Sequence, residues 1–331
     1  MEALQIKPLR SQVKDTLRSE KALGKWFLIS MAVVVGYNIL TLILEIIVSK
    51  AMVGTGGLAG MQTRAILETV LYLVPLLGAV LLPIWQIGVV RIAISANRRR
   101  QIAPKELLKG FARLGPILLS SLILGFALMA VIMTCVNIAS VIFSFSPLGN
   151  DATMFIASYM GEEMDYAALM EKIPMDQLLA KLAPAYILAA VIGIPAVYFV
   201  WCKFRMTNYV LLDDEKTGVI KSILKSVAMS ARQFWAFLVL DLGFWWYYLL
   251  MALVTAAGFA DLILPALGVK ADPEVLRYAG LAVNYLLSLL VAWLLQPRVE
   301  LTYAAAYDAL NRQLEAEVTR MKETFPDPEE E

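Results

Sequence analysis

Six stretches of this chain, about 26–48, 69–91, 116–143, 182–202, 234–258 and 276–301, are runs of Leu, Ile, Val, Ala and Met. Crossing the roughly 30 Å hydrocarbon core of a bilayer takes about 20 apolar residues as a helix. Lipid offers the backbone no hydrogen-bond partners, so such runs must be helices unless they close a β-barrel. They are too long for barrel strands and lack the alternation those strands need. The sequence therefore predicts an all-α polytopic membrane bundle of six spans. Composition agrees, with 60% hydrophobic and 17% charged residues, where soluble domains hold about 45–50% and about 25%. The first run begins at Trp26, is long enough to span and follows an amphipathic segment, so it reads as a retained span.

The charges set the expected orientation. Residues 1–25, 91–114, 203–233 and 297–331 hold 23 of the 29 Lys and Arg, and the three intervening connections hold six. Lys and Arg concentrate on the cytoplasmic side, which places both termini and the two basic loops there and the acidic loop 144–181 outside. Pro174 divides that loop into two expected short helices. Residues 1–311 then form the membrane domain, and 312–331 a cytoplasmic helix end and an acidic tail that lacks apolar period.

Two facts remove whole classes of chemistry. The chain has no histidine, which rules out Ser-His-Asp and Cys-His arrangements and His-based metal sites. Its two cysteines, Cys135 and Cys202, fall on different apolar runs, so neither a structural disulfide nor a Cys-rich metal site is expected. With no nucleophile–base pair in view, no enzyme activity and no cofactor are expected.

The runs look like three copies of a helical hairpin. Each even span carries a proline followed by a polar helical tail ending at an asparagine: Pro83 to Asn97, Pro195 to Asn208 and Pro297 to Asn311. Each odd span follows a basic amphipathic segment. The first sets Leu9, Val13 and Leu17 against Arg10, Lys14 and Arg18; the second sets Leu107, Leu108 and Leu114 against Lys105, Lys109 and Arg113. In the third, Val219, Ile220, Ile223, Leu224 and Val227 oppose Lys221, Lys225 and Arg232. Apolar residues three and four apart make one helix face, and such helices lie in the interface and attract anionic headgroups. Lys14, Arg18, Lys221 and Lys225 are thus the candidate lipid contacts.

Three stretches resemble bacterial integral membrane proteins of domain-of-unknown-function family 975: the N-terminal basic helix leading into Trp26; Tyr209-Val-Leu-Leu-Asp-Asp with Ser222–Ser230 and the aromatic-rich run from Phe234; and Pro297 followed by Tyr303-Ala-Ala-Ala-Tyr307-Asp-Ala-Leu310. Arg298 stands where that pattern expects an aromatic, and no glycine precedes Phe234. The resemblance implies a bacterial cytoplasmic-membrane protein and supplies no activity.

Glu45 and Asp241 are acidic residues within spans, where an ionisable group costs about 2.5–3.5 kcal/mol on insertion scales. Each must find a partner or water. Asp241 fits a proton or cation site, but a structural ion pair or a hydrogen bond to a neighbouring helix is favoured, with Arg91 the expected ion-pair partner and Arg298 or Lys203 also within reach. Phe237, Leu238, Phe244, Trp245 and Tyr248 would share its inward face. Glu45, near the outer end of its span, can turn outward. Met154, Met160, Met164, Met170 and Met175 are loosely spaced and lack Cys or His, which argues against copper. Gly54-Thr-Gly-Gly57 lacks the Gly-Lys-Ser/Thr ending of a phosphate loop. Acids interleave the basic face, and orientation explains that face without nucleic acid. The expected function is a non-catalytic membrane protein interacting with lipids or partner proteins; the alternative is a small-solute or ion transporter using Asp241.

Overall fold

The computed structural model describes residues 4–20, 22–53, 57–159 and 174–324. Among them there is no strand. The helices are α1 (Ile6–Ser19), α2 (Leu23–Val53), α3 (Gly57–Asn97), α4 (Lys109–Ala112), α5 (Leu114–Ser144), α6 (Pro147–Ala157) and α7 (Met175–Phe204). After them come α8 (Thr207–Asp213), α9 (Val219–Ser230), α10 (Phe234–Gly243), α11 (Trp245–Ala257), α12 (Ala260–Ala266), α13 (Pro273–Leu294) and α14 (Gln296–Thr324). Leu23–Ala51, Gln62–Asn97, Leu114–Ser144, Gln177–Asp213 and Pro273–Leu294 are long and apolar enough to cross a membrane. Exposed Leu40, Leu76, Phe126, Ile194 and Leu286 stud their surfaces, the pattern of helices solvated by lipid. This is a multi-pass helical membrane protein.

The chain forms two compact units, residues 1–118 with 206–331, and 119–205. In the first, α2 packs along α3. The Tyr37 hydroxyl donates to the Val74 carbonyl, and Trp85 Nε1 donates to the Ser30 carbonyl at 3.0 Å. Gly78 makes the first contact possible, since a Cβ there would lie 2.3 Å from the Tyr37 ring. The connection after α3 folds back on it through two more glycines. A Cβ on Gly88 would lie 2.1 Å from the Leu107 carbonyl oxygen, and one on Gly110 would lie 2.3 Å from that of Ile84. Ile84 and Ile117 then join Leu211 and Leu212 in a buried cluster. On the far side, Asn284 Nδ2 donates to the Val254 carbonyl at 2.6 Å, tying α13 to α11.

The second unit holds most of α5, with α6 and α7. Ser146 caps α6 by accepting from the Gly149 N–H at 3.1 Å, and Lys181 pairs with Asp151. Cys135 and Cys202 are both buried, with no disulfide joining them. A groove of about 500 Å³, lined by Ile132, Cys135, Ile194 and Trp201 among others, lies between α5 and α7. Pro174 is the N-cap of α7.

Three expectations need correction. The stretch 234–258 is not one helix: α10 stops at Gly243, and α11 starts after Phe244, whose N–H turns back to the Asp241 carbonyl at 2.9 Å. Gly243 has no side chain to keep Arg10 away, and the Arg10 guanidinium sits where a Cβ would be. The stretch 276–301 also breaks, at Leu295; Pro297 falls in the first turn of α14, where the missing N–H does no harm. The basic segments differ from one another as well. Leu9 and Val13 of α1 are buried against α14 and α3, so that apolar face meets protein. The second segment is a 3-10 turn at Pro104–Glu106 followed by the single turn α4. The third segment is a separate helix, α9, which packs on α8 and α14 and meets α10 at a bend of 84°. Met160, Met164, Met170, the stretch 54–56 and the tail 325–331 lie outside the described residues.

Candidate functional site

The polar tails that follow Pro83, Pro195 and Pro297 meet at one hub in the first unit. Arg98, just past α3, donates to Asp213 Oδ1 and Oδ2 at 2.5 and 2.7 Å and to Asp308 Oδ1 at 2.6 Å. Asn97 Nδ2 donates to Asp308 Oδ2 at 2.6 Å, and Tyr307 donates its hydroxyl to Asp213 at 2.9 Å. Gln12 of α1 donates to Asn97 Oδ1 at 2.9 Å. The cause is local. Ala304, Ala305 and Ala306 are buried and carry so little bulk that α14 lies close to its neighbours. The Tyr209 and Tyr307 rings meet at a tilt of 31° with centres 5.7 Å apart, so stretches 209–214 and 303–310 adjoin.

Electrostatics follow from that geometry. Hydrogen bonding to Asp213 holds the Arg98 guanidinium well above its ordinary range, against burial, with Asp308 adding to the effect. Burial, reinforced by the Asp213 charge, pushes the Tyr307 phenol up. Below the hub, the Asp214 carboxylate accepts from Thr217 and from the Lys216 N–H at 3.0 Å; the Thr217 hydroxyl, then that N–H, pull its pKa down. Two carboxylates, one guanidinium and a phenol make a mutually satisfied clamp. The hub residues stand fifteen, eighteen and eleven positions past their prolines, so their positions are not equivalent in the three stretches.

Arg91 does not reach Asp241. Its Nε donates to Glu106 at 3.0 Å, and its Nη1 donates to the Leu212 carbonyl at 3.0 Å and lies 3.5 Å from Asp213. Asp241 instead accepts from the Tyr248 hydroxyl at 2.9 Å and from Tyr303. Of the residues expected to share its face, Phe237 and Phe244 are buried, while Trp245 and Tyr248 are exposed. The break at Phe244 shifts the helical phase, and the periodicity ends there. Glu45 pairs with Arg277 Nη2 at 2.9 Å, both about half exposed. Arg298 is exposed, as are Lys14, Arg18 and Lys221; Lys225 is half-buried.

The face of α9 that meets the protein is serine, not leucine. Ser222, Ser226 and Ser230 are buried; Ser222 and Ser230 return their hydroxyls to carbonyls four residues back, and Ser226 Oγ accepts from the Met206 N–H at 3.1 Å. Two apolar residues look outward, Ile220 at 70% exposed and Leu224 at 62%, with Trp235 of α10 at 72%, while Met229 is buried with the serines. Sequence periodicity found the amphipathicity but did not single out the serines as the face that packs on the protein. The hub itself was missed, although the serine spacing and the Tyr307-Asp308 and Asp213-Asp214 pairs stood in plain view.

No family model, no curated protein and no solved structure matches this chain.

Proposed function

We propose that this chain is a non-catalytic multi-pass protein of a bacterial cytoplasmic membrane, with both termini cytoplasmic, that contacts anionic lipid through α9. One observation carries the reading: Ile220 and Leu224 are exposed beside Lys221 while the opposite face is sealed by serines. A helix so built presents apolar side chains to acyl tails and ammonium groups to headgroups. The 23-to-6 split of Lys and Arg between alternating connections supports the orientation, and the resemblance to family 975 points the same way. The three hairpins are read as one repeated unit that has diverged.

Nitroxide-quenching in vesicles tests this with the full chain. In a Cys135→Ser, Cys202→Ser background, a dye at Leu224→Cys is quenched by lipid-chain nitroxides, and one at Ser222→Cys is shielded. Replacing Lys221 and Lys225 by Gln weakens retention of anionic lipid by about 1 kcal/mol per charge. Equal quenching at the two positions defeats the reading.

A second reading, transport through Asp241, is favoured by the helix break beside that carboxylate, because discontinuous helices build transporter sites.

A further inference from the structure

Two cavities adjoin along the α2–α3 seam, of about 400 and about 410 Å³, and both are lined by Thr41 and Pro75. Together they make one groove from Arg64 to Gln86. At about 1.5 Å per residue this is roughly 33 Å of α3, close to the thickness of the hydrocarbon core. Both proline interruptions of α3, Pro75 and Pro83, line it. Tyr72, which lines it, is 78% exposed, so the groove opens to the outside of the bundle, where apolar helices meet lipid tails.

Polar groups mark the groove at intervals. At the Arg64 end, Arg64 pairs with Glu68 at 3.0 Å and Glu45 pairs with Arg277, two cations balanced by two anions. Midway stand Tyr37 and Thr41, whose hydroxyls are taken by the Val74 and Tyr37 carbonyls. Asn38 and Gln86 also line the groove, and among the described residues neither amide has a hydrogen-bond partner. An amide facing hydrocarbon without a partner costs several kcal/mol. Their presence in the spans is explained by a polar group passing at that depth.

We propose that this groove is a path for the headgroup of a zwitterionic phospholipid, with the tails left in the surrounding lipid. The balanced charges at the Arg64 end match a molecule bearing both an ammonium and a phosphate; Glu45 and Glu68 repel a simple anion. Asn38 and Gln86 then offer donors and acceptors along the rest of the way, where an unaided headgroup would be desolvated. This goes beyond the α9 reading and stands on different residues, so either can fail alone.

The full chain in phosphatidylcholine vesicles tests it, with a trace of acyl-labelled fluorescent phosphatidylcholine and a membrane-impermeant reductant outside. Wild type exposes inner-leaflet label faster than protein-free vesicles. Asn38→Leu and Gln86→Leu each slow exchange about fivefold to tenfold, the loss of one hydrogen bond, with unchanged melting. Asn38→Ala replaces the leucine variant if that one folds poorly. Leu286→Ala, on α13 and outside both the groove and α9, keeps the wild-type rate. Labelled phosphatidylglycerol crosses about tenfold more slowly than phosphatidylcholine, as charge selection by Glu45 and Glu68 requires. Exchange no faster than in empty vesicles, or leucine variants as fast as wild type, overturns the proposal. Equal rates for the two lipids overturn the zwitterion assignment.

Discussion

Arg98 and Asp213 face each other through two parallel hydrogen bonds, of 2.5 and 2.7 Å, although 115 residues separate them in the chain. The pairing joins the end of α3 to α8, and its fork geometry is one that lysine cannot reproduce. All three carboxylate and guanidinium partners are less than a quarter exposed. Arg98→Gln should destabilise the protein by about 2–4 kcal/mol, because Asp213 and Asp308 are left facing one another. Adding Asp308→Asn should recover part of the loss. Thermal melting in detergent measures both; full additivity would mean the hub is not a unit.

Arg91 couples to Glu106, not to Asp241. A cycle of Arg91→Gln with Glu106→Gln should show an interaction of about 0.5–3 kcal/mol, and the same cycle with Asp241→Asn should be additive within about 0.5 kcal/mol. Coupling to Asp241 in detergent melts would reverse the assignment.

Asp241 is held by two phenols. Tyr303→Phe and Asp241→Asn should each destabilise by about 1–3 kcal/mol, the range for a hydrogen bond to a charged group, and the double variant should cost little more than either. If Asp241 serves transport instead, Asp241→Asn leaves the melting temperature in place and changes the pH dependence of flux.

Much of this was legible in advance, and the failures have physical reasons. Apolar length located the membrane-crossing segments because lipid dictates it locally. Where helices end was less accessible. Gly243 reads as an ordinary glycine until Arg10, 233 residues earlier, is seen lying against it. The serine face of α9 was likewise not picked out: in lipid, leucine gains nothing by turning inward, and small polar residues make the close contact. The Arg98 hub needs partners from three distant tails, and no local period reports on that.

Topology can be checked by labelling. In the Cys135→Ser, Cys202→Ser background, an impermeant reagent should modify Lys270→Cys in intact cells and reach Lys216→Cys only after lysis. The opposite pattern inverts the orientation.

The turn after α8 should respond to acid. Asp214 has its pKa lowered by the Thr217 hydroxyl and the Lys216 N–H. Its ionised form therefore favours the folded turn above the ordinary carboxylate pKa of about 4, and that contribution is lost as pH falls through the lowered value. Hydrogen exchange across 214–218 should be slower in wild type than in Asp214→Ala near neutrality, and the two should converge in acid. A difference that persists at low pH rejects the carboxylate as the cause.

α3 is unbroken from Gly57 to Asn97 even though Pro75 and Pro83 interrupt its hydrogen bonding. It therefore works as a lever with a soft point inside the membrane and a clamped tip. Fifteen residues separate Pro83 from Arg98, roughly 22 Å of arm, so a change of about 10° at the proline would swing the tip by about 4 Å. That is more than the Arg98–Asp213 hydrogen bonds can stretch. Whatever widens or narrows the seam between α2 and α3 is thereby felt at the far end as strain on the hub, and the hub in turn limits how far the seam can open.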